Sequence, residues 1–241
     1  MHAERELSVS DRILRSRSEI PADPPAGDYV VVDVTHFSTT VTELLGNGAA
    51  YVHVTDERGD EFEFQEEVPE ALIGGGKTDD YEPHEGYDFF NSPSYVQRFD
   101  VTDTPTAMTS KNGGAAVTTL SDRGSEDIDV FVGGYTNAVA VAEYLRERDA
   151  PTFVVAAGSR GEETTDDLLG AVLIDRYLRE RPLTADERAH FVALLEAAKG
   201  PGYAEKHEVR RKDLHEYATA INARDVVPHL DGDRLVRARD R

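Results

Sequence analysis

The chain has 241 residues, the size of one large α/β domain, and a formal net charge of -21 at pH 7. A balance this acidic excludes nonspecific binding to nucleic acid or to an anionic membrane, because both need a net positive field. The absence of cysteine removes disulfides, thiolate metal sites and a cysteine nucleophile.

The excess of Asp and Glu runs along the whole chain, the pattern of a solvated, self-repelling surface suited to a salt-rich cytoplasm. Repulsion of this kind is screened within about 3 Å at 1 M salt but only within about 10 Å at 0.1 M. Cooperative folding is therefore expected to weaken as salt is withdrawn and to return when it is restored. A melting temperature indifferent to salt would contradict halophilic adaptation. No run approaches the roughly 18 apolar residues that span a bilayer, and the polar N-terminus lacks the apolar core of a signal peptide. A cytoplasmic location is expected.

Residues 1–28 predict a short helix and then a linker that ends in the Pro/Gly-rich stretch 21–27. A single α/β domain is expected over 29–241. It opens on Tyr29-Val30-Val31-Val32-Asp33-Val34, a β-branched run of the kind buried on both faces of a parallel sheet. A helical pattern follows over 38–45, stopped by Gly46-Asn47-Gly48, and then a strand over 50–55. Strand, helix and strand in so short a span predict a right-handed crossover. Residues 56–104 are acidic, aromatic and irregular, with a short helix expected around 69–73; a long irregular stretch inside a domain is more often functional than idle. Alternation then resumes: strand 106–109, helix from 114, strand 128–132, helix 137–148, strand 152–156. Helices are expected near 166–179, 185–198 and 207–223, with an edge strand over 235–238. The fold class is α/β, a three-layer α/β/α arrangement with a largely parallel or mixed central sheet.

In such a sheet ligands bind beyond the carboxyl ends of the strands, where helix N-termini offer free N–H groups. Four segments fall there: 33–40, 109–114, 133–137 and 158–167. Their Gly, Ser, Thr and Asn residues suit an oxyanion, and they are also what ordinary turns and N-caps use. Asp33 is the most pointed residue, since a buried carboxylate needs a partner. It reads either as a turn cap or as a Mg²⁺ ligand or acid/base group. Asp166-Asp167 opens a helix, which the helix dipole favours with or without a ligand. His36 reads either as a general acid or phosphate ligand or as a turn histidine satisfied by backbone. Gly74-Gly75-Gly76-Lys77 lacks the spacing of a P-loop, and no His-x-x-x-His pair points to zinc.

In order along the chain, Asp33-Val34 through Ser38-Thr39-Thr40, Gly86-Tyr87-Asp88-Phe89-Phe90-Asn91-Ser92-Pro93, Asn112-Gly113, Asn137 and Thr165-Asp166-Asp167 resemble the motifs of the 2-phosphosulfolactate phosphatase family. Three departures stand out. His36 replaces an arginine, Gly75-Gly76-Lys77 replaces Gly-Glu-Arg, and Gly114 replaces a threonine.

The resemblance implies Mg²⁺-assisted hydrolysis of a small phosphomonoester of the 2-phosphosulfolactate type. Mg²⁺ ligands would be Asp33 and Asp167, with Asp166 assisting, and Asp33, His36 and Asp167 are the candidate catalytic residues. Ser38, Thr39, Asn91, Ser92, Asn112, Gly113 and Asn137 are candidates for holding substrate, with Lys111 and Arg160 as the nearest cations. Because His and Lys do not reproduce the guanidinium fork, a phosphatase for another organic phosphate and a noncatalytic anion-binding protein both stay open. The expected partner is a small phosphorylated substrate, and a homodimer is carried as an expectation that no residue pattern specifies.

Overall fold

The computed structural model of the chain describes residues 11–55, 57–125 and 127–238. The described chain enters through a two-residue strand, β1 (Ile13–Leu14), and one 3-10 turn at Arg17–Glu19. It continues through β2 (Gly27–Val32), α1 (Phe37–Gly46), β3 (Tyr51–Thr55), α2 (Asp60–Glu67), β4 (Leu72–Gly75) and β5 (Phe89–Phe90). Next come β6 (Pro105–Thr109), α3 (Gly113–Arg123), β7 (Ile128–Gly133), α4 (Ala138–Arg146), β8 (Thr152–Ala156) and α5 (Thr165–Leu178). Last are α6 (Ala185–Lys199), α7 (Gly202–Glu205), α8 (Glu208–Lys212) with a π-helical turn at Asp213–Ala218, and the strands β9 (Pro228–Asp231) and β10 (Arg234–Arg237).

All ten strands join one mixed sheet in the order β1-β8-β2-β7-β9-β10-β3-β6-β4-β5. Two parallel halves, β1-β8-β2-β7 and β3-β6-β4-β5, are bridged by the antiparallel hairpin β9-β10. Every residue of β2 is buried, as its β-branched run requires. Successive side chains of a strand point to opposite faces, so Tyr29 and Val31 pack with Val41, Leu44, Val117 and Leu120 of α1 and α3. Val30 and Val32 pack on the other face with Val141, Leu145, Leu173 and Ile174 of α4 and α5. Each such buried aliphatic side chain contributes about 1.5–3 kcal/mol relative to exposure. This is the three-layer α/β/α arrangement. It aligns the carboxyl ends of β2, β7 and β8 and, across the hairpin, brings the start of α3 beside the end of β2.

Four local expectations are corrected. The helix expected at 69–73 lies earlier, at α2, where Asp60, Glu61 and Glu63 complement the positive end of the helix dipole. The apolar residues that suggested a helix enter β4 instead. The strand expected at the sheet edge is β10, which pairs with β9 on one side and β3 on the other and so lies inside the sheet. The helix expected over 207–223 is short and turns π-helical at Asp213. Within 11–28 there is a strand pairing with β8 and a 3-10 turn rather than an α-helix; residues 1–10 lie outside the described residues. Among the described residues no helix is long and apolar enough to cross a membrane.

Candidate active site

Asp33 stands one residue beyond β2, and its Oδ2 accepts the backbone N–H of Gly113 at 3.1 Å. Gly113 has to be glycine here. A Cβ at that position would lie 2.5 Å from the Phe37 ring and 2.9 Å from the Asp33 Cβ. Asp166 and Asp167 occupy the first turn of α5. Asp167 accepts Val34 N–H at 2.9 Å through Oδ1 and Gly158 N–H at 3.0 Å through Oδ2, clamping together the ends of β2 and β8. Asp166 accepts the Thr35 hydroxyl at 2.9 Å and forms an ion pair with Lys199 from the last turn of α6. All three carboxylates are buried.

Their electrostatics follow from crowding. Burial pushes the Asp33 carboxyl up to about 6; the Gly113 N–H pulls it down, while the Asp166 charge pushes it further up. Asp167 is raised well above the ordinary carboxylate range by burial and then by the charges of Asp33 and Asp166. Burial acts upward on Asp166 as well, but the Lys199 ammonium and the Thr35 hydroxyl outweigh it and hold this carboxyl below its usual value. Two of the three carboxylates thus carry charge at an energetic cost.

Beside this trio a cavity of about 190 Å³ is lined by His36, Arg58, Gly75, Gly76, Lys77, Tyr81, Phe90, Asn91, Arg210 and Asp213. Its wall is a hydrogen-bonded group around His36, the residue before α1. Arg210 Nη1 donates to His36 Nε2 at 3.0 Å and to Tyr203 Oη at 2.8 Å, and Arg210 Nε donates to Tyr81 Oη at 2.9 Å. A guanidinium can only donate, so Nε2 accepts and the imidazole proton resides on Nδ1. Burial first, and then the Arg210 and Lys199 charges, push the His36 pKa down to about 3. A neutral His36 does not titrate near pH 7, so His36→Gln should leave the pH dependence of phosphate binding between about pH 6 and 8 unchanged. Loss of a limb near pH 6.5 in that variant would contradict a neutral imidazole.

The remaining expected substrate-holding residues divide. Asn91 lines the cavity, and its buried Oδ1 has no hydrogen-bond partner. Gly113 serves Asp33. Ser92 donates to Asp213 at 2.7 Å and stands behind the cavity. Ser38 and Thr39 turn their hydroxyls back onto the carbonyls of Val31 and Val34, and Asn137 spans Gly134 N–H and the carbonyls of Val132 and Val226. These three side chains tie the turns of the site together. Asn112 accepts the Arg160 N–H at 3.2 Å, and Lys111 and Arg160 are exposed. The cations close to the carboxylates and cavity are instead Lys199, Arg210, Lys77 and Arg58. The available signal was weak: Arg210-Arg211-Lys212 is a basic run in an acidic chain, whereas Lys199 reads only as an ordinary helix C-terminal cation.

Among the described residues no three His, Cys, Asp or Glu side chains converge tightly enough to cage an ion. A Mg²⁺ ion does not need such a cage, since it keeps waters and takes one or two carboxylates plus substrate phosphate. The donor chemistry fits it. The ligands on offer are hard carboxylate oxygens whose mutual repulsion a divalent cation would relieve, and Lys199 relieves chiefly Asp166. Asp33 is the least committed, with one backbone hydrogen bond from Gly113 and the Phe37 N–H close by.

A family model described as 2-phosphosulpholactate phosphatase matches residues 15–232. A probable 2-phosphosulfolactate phosphatase of Carboxydothermus hydrogenoformans is 26% identical over 222 residues, covering 86% of this chain and 88% of its own. One from Clostridium botulinum strain Eklund 17B is 25% identical over 223 residues, covering 86% and 90%. One from Deinococcus radiodurans is 31% identical over 167 residues, covering 68% of each chain.

Proposed function

The chain belongs to the 2-phosphosulpholactate phosphatase family, and from that premise we propose that it hydrolyses a small phosphomonoester, 2-phosphosulfolactate first among them, to sulfolactate and inorganic phosphate. The observation that carries this reading is the buried trio Asp33, Asp166 and Asp167 lying beside the starts of α1 and α3. Neither helix has a side-chain cap on its N-terminus. The leading N–H groups of both helices turn to Asp33, those of Gly113 and Phe37 toward its carboxylate and that of Ser38 to its carbonyl at 3.0 Å, so the positive ends of two helix dipoles converge on this carboxylate and on phosphoryl oxygens bound beside it.

Asp33 and Asp167 would hold Mg²⁺, with Asp166 reaching it through water. When bound, Mg²⁺ supplies neutralisation of the charge on the phosphoryl oxygens. Asp33, whose carboxylate has a single hydrogen bond among the described residues, from Gly113, is the residue placed to take the proton of the attacking water. Water attacks phosphorus in line, the P–O bond to the carbon skeleton breaks, and the departing oxygen takes up a proton from solvent to give the alcohol. Lys199 keeps Asp166 ionised and fixed throughout, and Asp167 holds the two strand ends in register.

A phosphate-release screen over a small panel of phosphomonoesters, with Mg²⁺ in molar salt, tests the reading. Release from 2-phosphosulfolactate above the rest of the panel is the expected result. Release from a different ester alone would mark a phosphatase of other specificity, consistent with the His36, Gly76 and Gly114 departures. Release from none, with phosphate still bound, would identify a noncatalytic anion-binding protein.

A further inference from the structure

In a chain of net charge -21, the cavity beside His36 gathers three cationic side chains, Arg58, Lys77 and Arg210. None of the three has a carboxylate within ion-pair distance among the described residues. Arg210 gives its hydrogen bonds to the neutral acceptors Tyr81, Tyr203 and His36, all through Nε and Nη1, which leaves Nη2 uncommitted. Lys77 lies over the Tyr81 ring at 3.6 Å and donates to the Thr78 carbonyl at 3.2 Å. Asp213 also borders the cavity, but its carboxylate is taken up by the Ser92 hydroxyl at 2.7 Å, the Ser94 hydroxyl at 2.6 Å and the Ser94 N–H at 3.0 Å. Arg58 packs against Gly76, where a Cβ would come within 3.0 Å of its Nη1, so any side chain there would crowd the guanidinium and an acidic one would neutralise it.

With acidic residues so abundant, three cations around one cavity with no carboxylate in ion-pair contact, the bordering Asp213 being turned to Ser92 and Ser94, mark a place where the missing counter-ion is a ligand. Planar guanidinium forks match the oxygen spacing of carboxylate and sulfonate groups. His36 lines the cavity, follows Asp33 by three residues and lies close enough to feel the charges of Asp166 and Lys199, so the cavity neighbours the carboxylate trio.

We propose that Arg58 and Arg210 are specificity-determining residues, which hold, in the cavity shared with Lys77, the sulfonate or carboxylate that stays on the carbon skeleton when phosphate leaves. His36 is a positioning residue in this scheme: its unprotonated Nε2, with the Tyr203 hydroxyl, orients Arg210. The choice of ligand rests on the phosphatase reading above.

The test titrates sulfolactate, lactate and inorganic phosphate separately into the full chain in molar salt. Wild type is compared with Arg58→Gln, Arg210→Gln and Arg210→Lys, each checked for folding by thermal melt. The expected result is that both Gln variants weaken sulfolactate binding at least about tenfold more than phosphate binding, with Arg210→Lys restoring only part because an ammonium lacks the fork. A larger loss for sulfolactate than for lactate assigns the sulfonate to the cavity, and equal losses assign the carboxylate. Arg58 is exposed, so Arg58→Gln should fold even where Arg210→Gln does not. Equal weakening of all three ligands in Arg58→Gln, or of none, overturns the proposal, as does a wild type that binds neither organic acid. Arginine-dependent binding by a chain that releases phosphate from no ester would remove the phosphatase reading and leave this one standing.

Discussion

Asp33→Asn is expected to lower Mg²⁺-dependent phosphate release by at least about 100-fold, the scale on which a positioned proton acceptor contributes, while the chain stays folded. Asn keeps the size of the side chain and can still accept the Gly113 N–H, so the turn after β2 should survive. Without Mg²⁺ the variant should be more stable than wild type at neutral pH. A carboxyl raised from 3.8 to about 6 by folding is stabilised in its protonated form. Its contribution is fully present below the unfolded value and is lost as pH rises through about 6, a penalty of about 3 kcal/mol at pH 7. Asn escapes that penalty, so the stability gap should close on acidification below about pH 4. Denaturant unfolding of both proteins at pH 4 and pH 7 measures it. A variant less stable than wild type at pH 7 would mean that Asp33 acts chiefly as a turn cap.

Lys199→Met is the second large effect, and it acts on stability first. Lys199 is the ion-pair partner of Asp166, and the pair is largely buried, with the Lys199 side chain 20% exposed and that of Asp166 9% exposed. Breaking a buried pair costs about 3–5 kcal/mol, and the partial exposure of the ammonium places this one near the lower end. The loss is specific to the uncompensated charge. Asp166→Asn in the same chain should therefore recover much of it, a coupling that a double-mutant cycle reads directly. Additive losses in the double variant would show that Lys199 acts through packing against Tyr203 rather than through Asp166. Added Mg²⁺ should also protect Lys199→Met, because the same carboxylates gain a second source of positive charge.

What the sequence conveyed and what it withheld have physical causes. The β2 run was legible because burial on both faces demands continuous β-branched residues, and Asp33 was legible because a carboxylate ending such a run has to be paid for by a partner. Asp166 and Asp167 were legible as residues, though their separate tasks were not. Only the fold shows that one clamps two strand ends while the other faces Lys199. The cationic side of the site stayed hidden because it comes from far along the chain, with Arg210 lying 174 residues from His36. The rule that ligands sit at strand ends pointed to Lys111 and Arg160. Those turns carry their side chains outward, and Arg160 itself has a positive φ of 56°. The hydroxyls of Ser38 and Thr39 had the composition of an anion site, yet backbone carbonyls in the same turn claim them. The strand expected at 235–238 has its place inside the sheet set by tertiary pairing with β9 and β3, which no local pattern conveys.

Asp33, Asp166 and Asp167 are proposed above to form one joint Mg²⁺ and phosphate site. Calorimetric titration of Mg²⁺ into wild type and Asp33→Asn, each saturated with inorganic phosphate in molar salt, tests it most directly. Saturable Mg²⁺ binding to wild type is expected, with binding weakened at least about tenfold in Asp33→Asn, since Mg²⁺ depends on charged oxygen ligands. Equal Mg²⁺ affinity in the two proteins would contradict it and return Asp33 to the role of a structural cap.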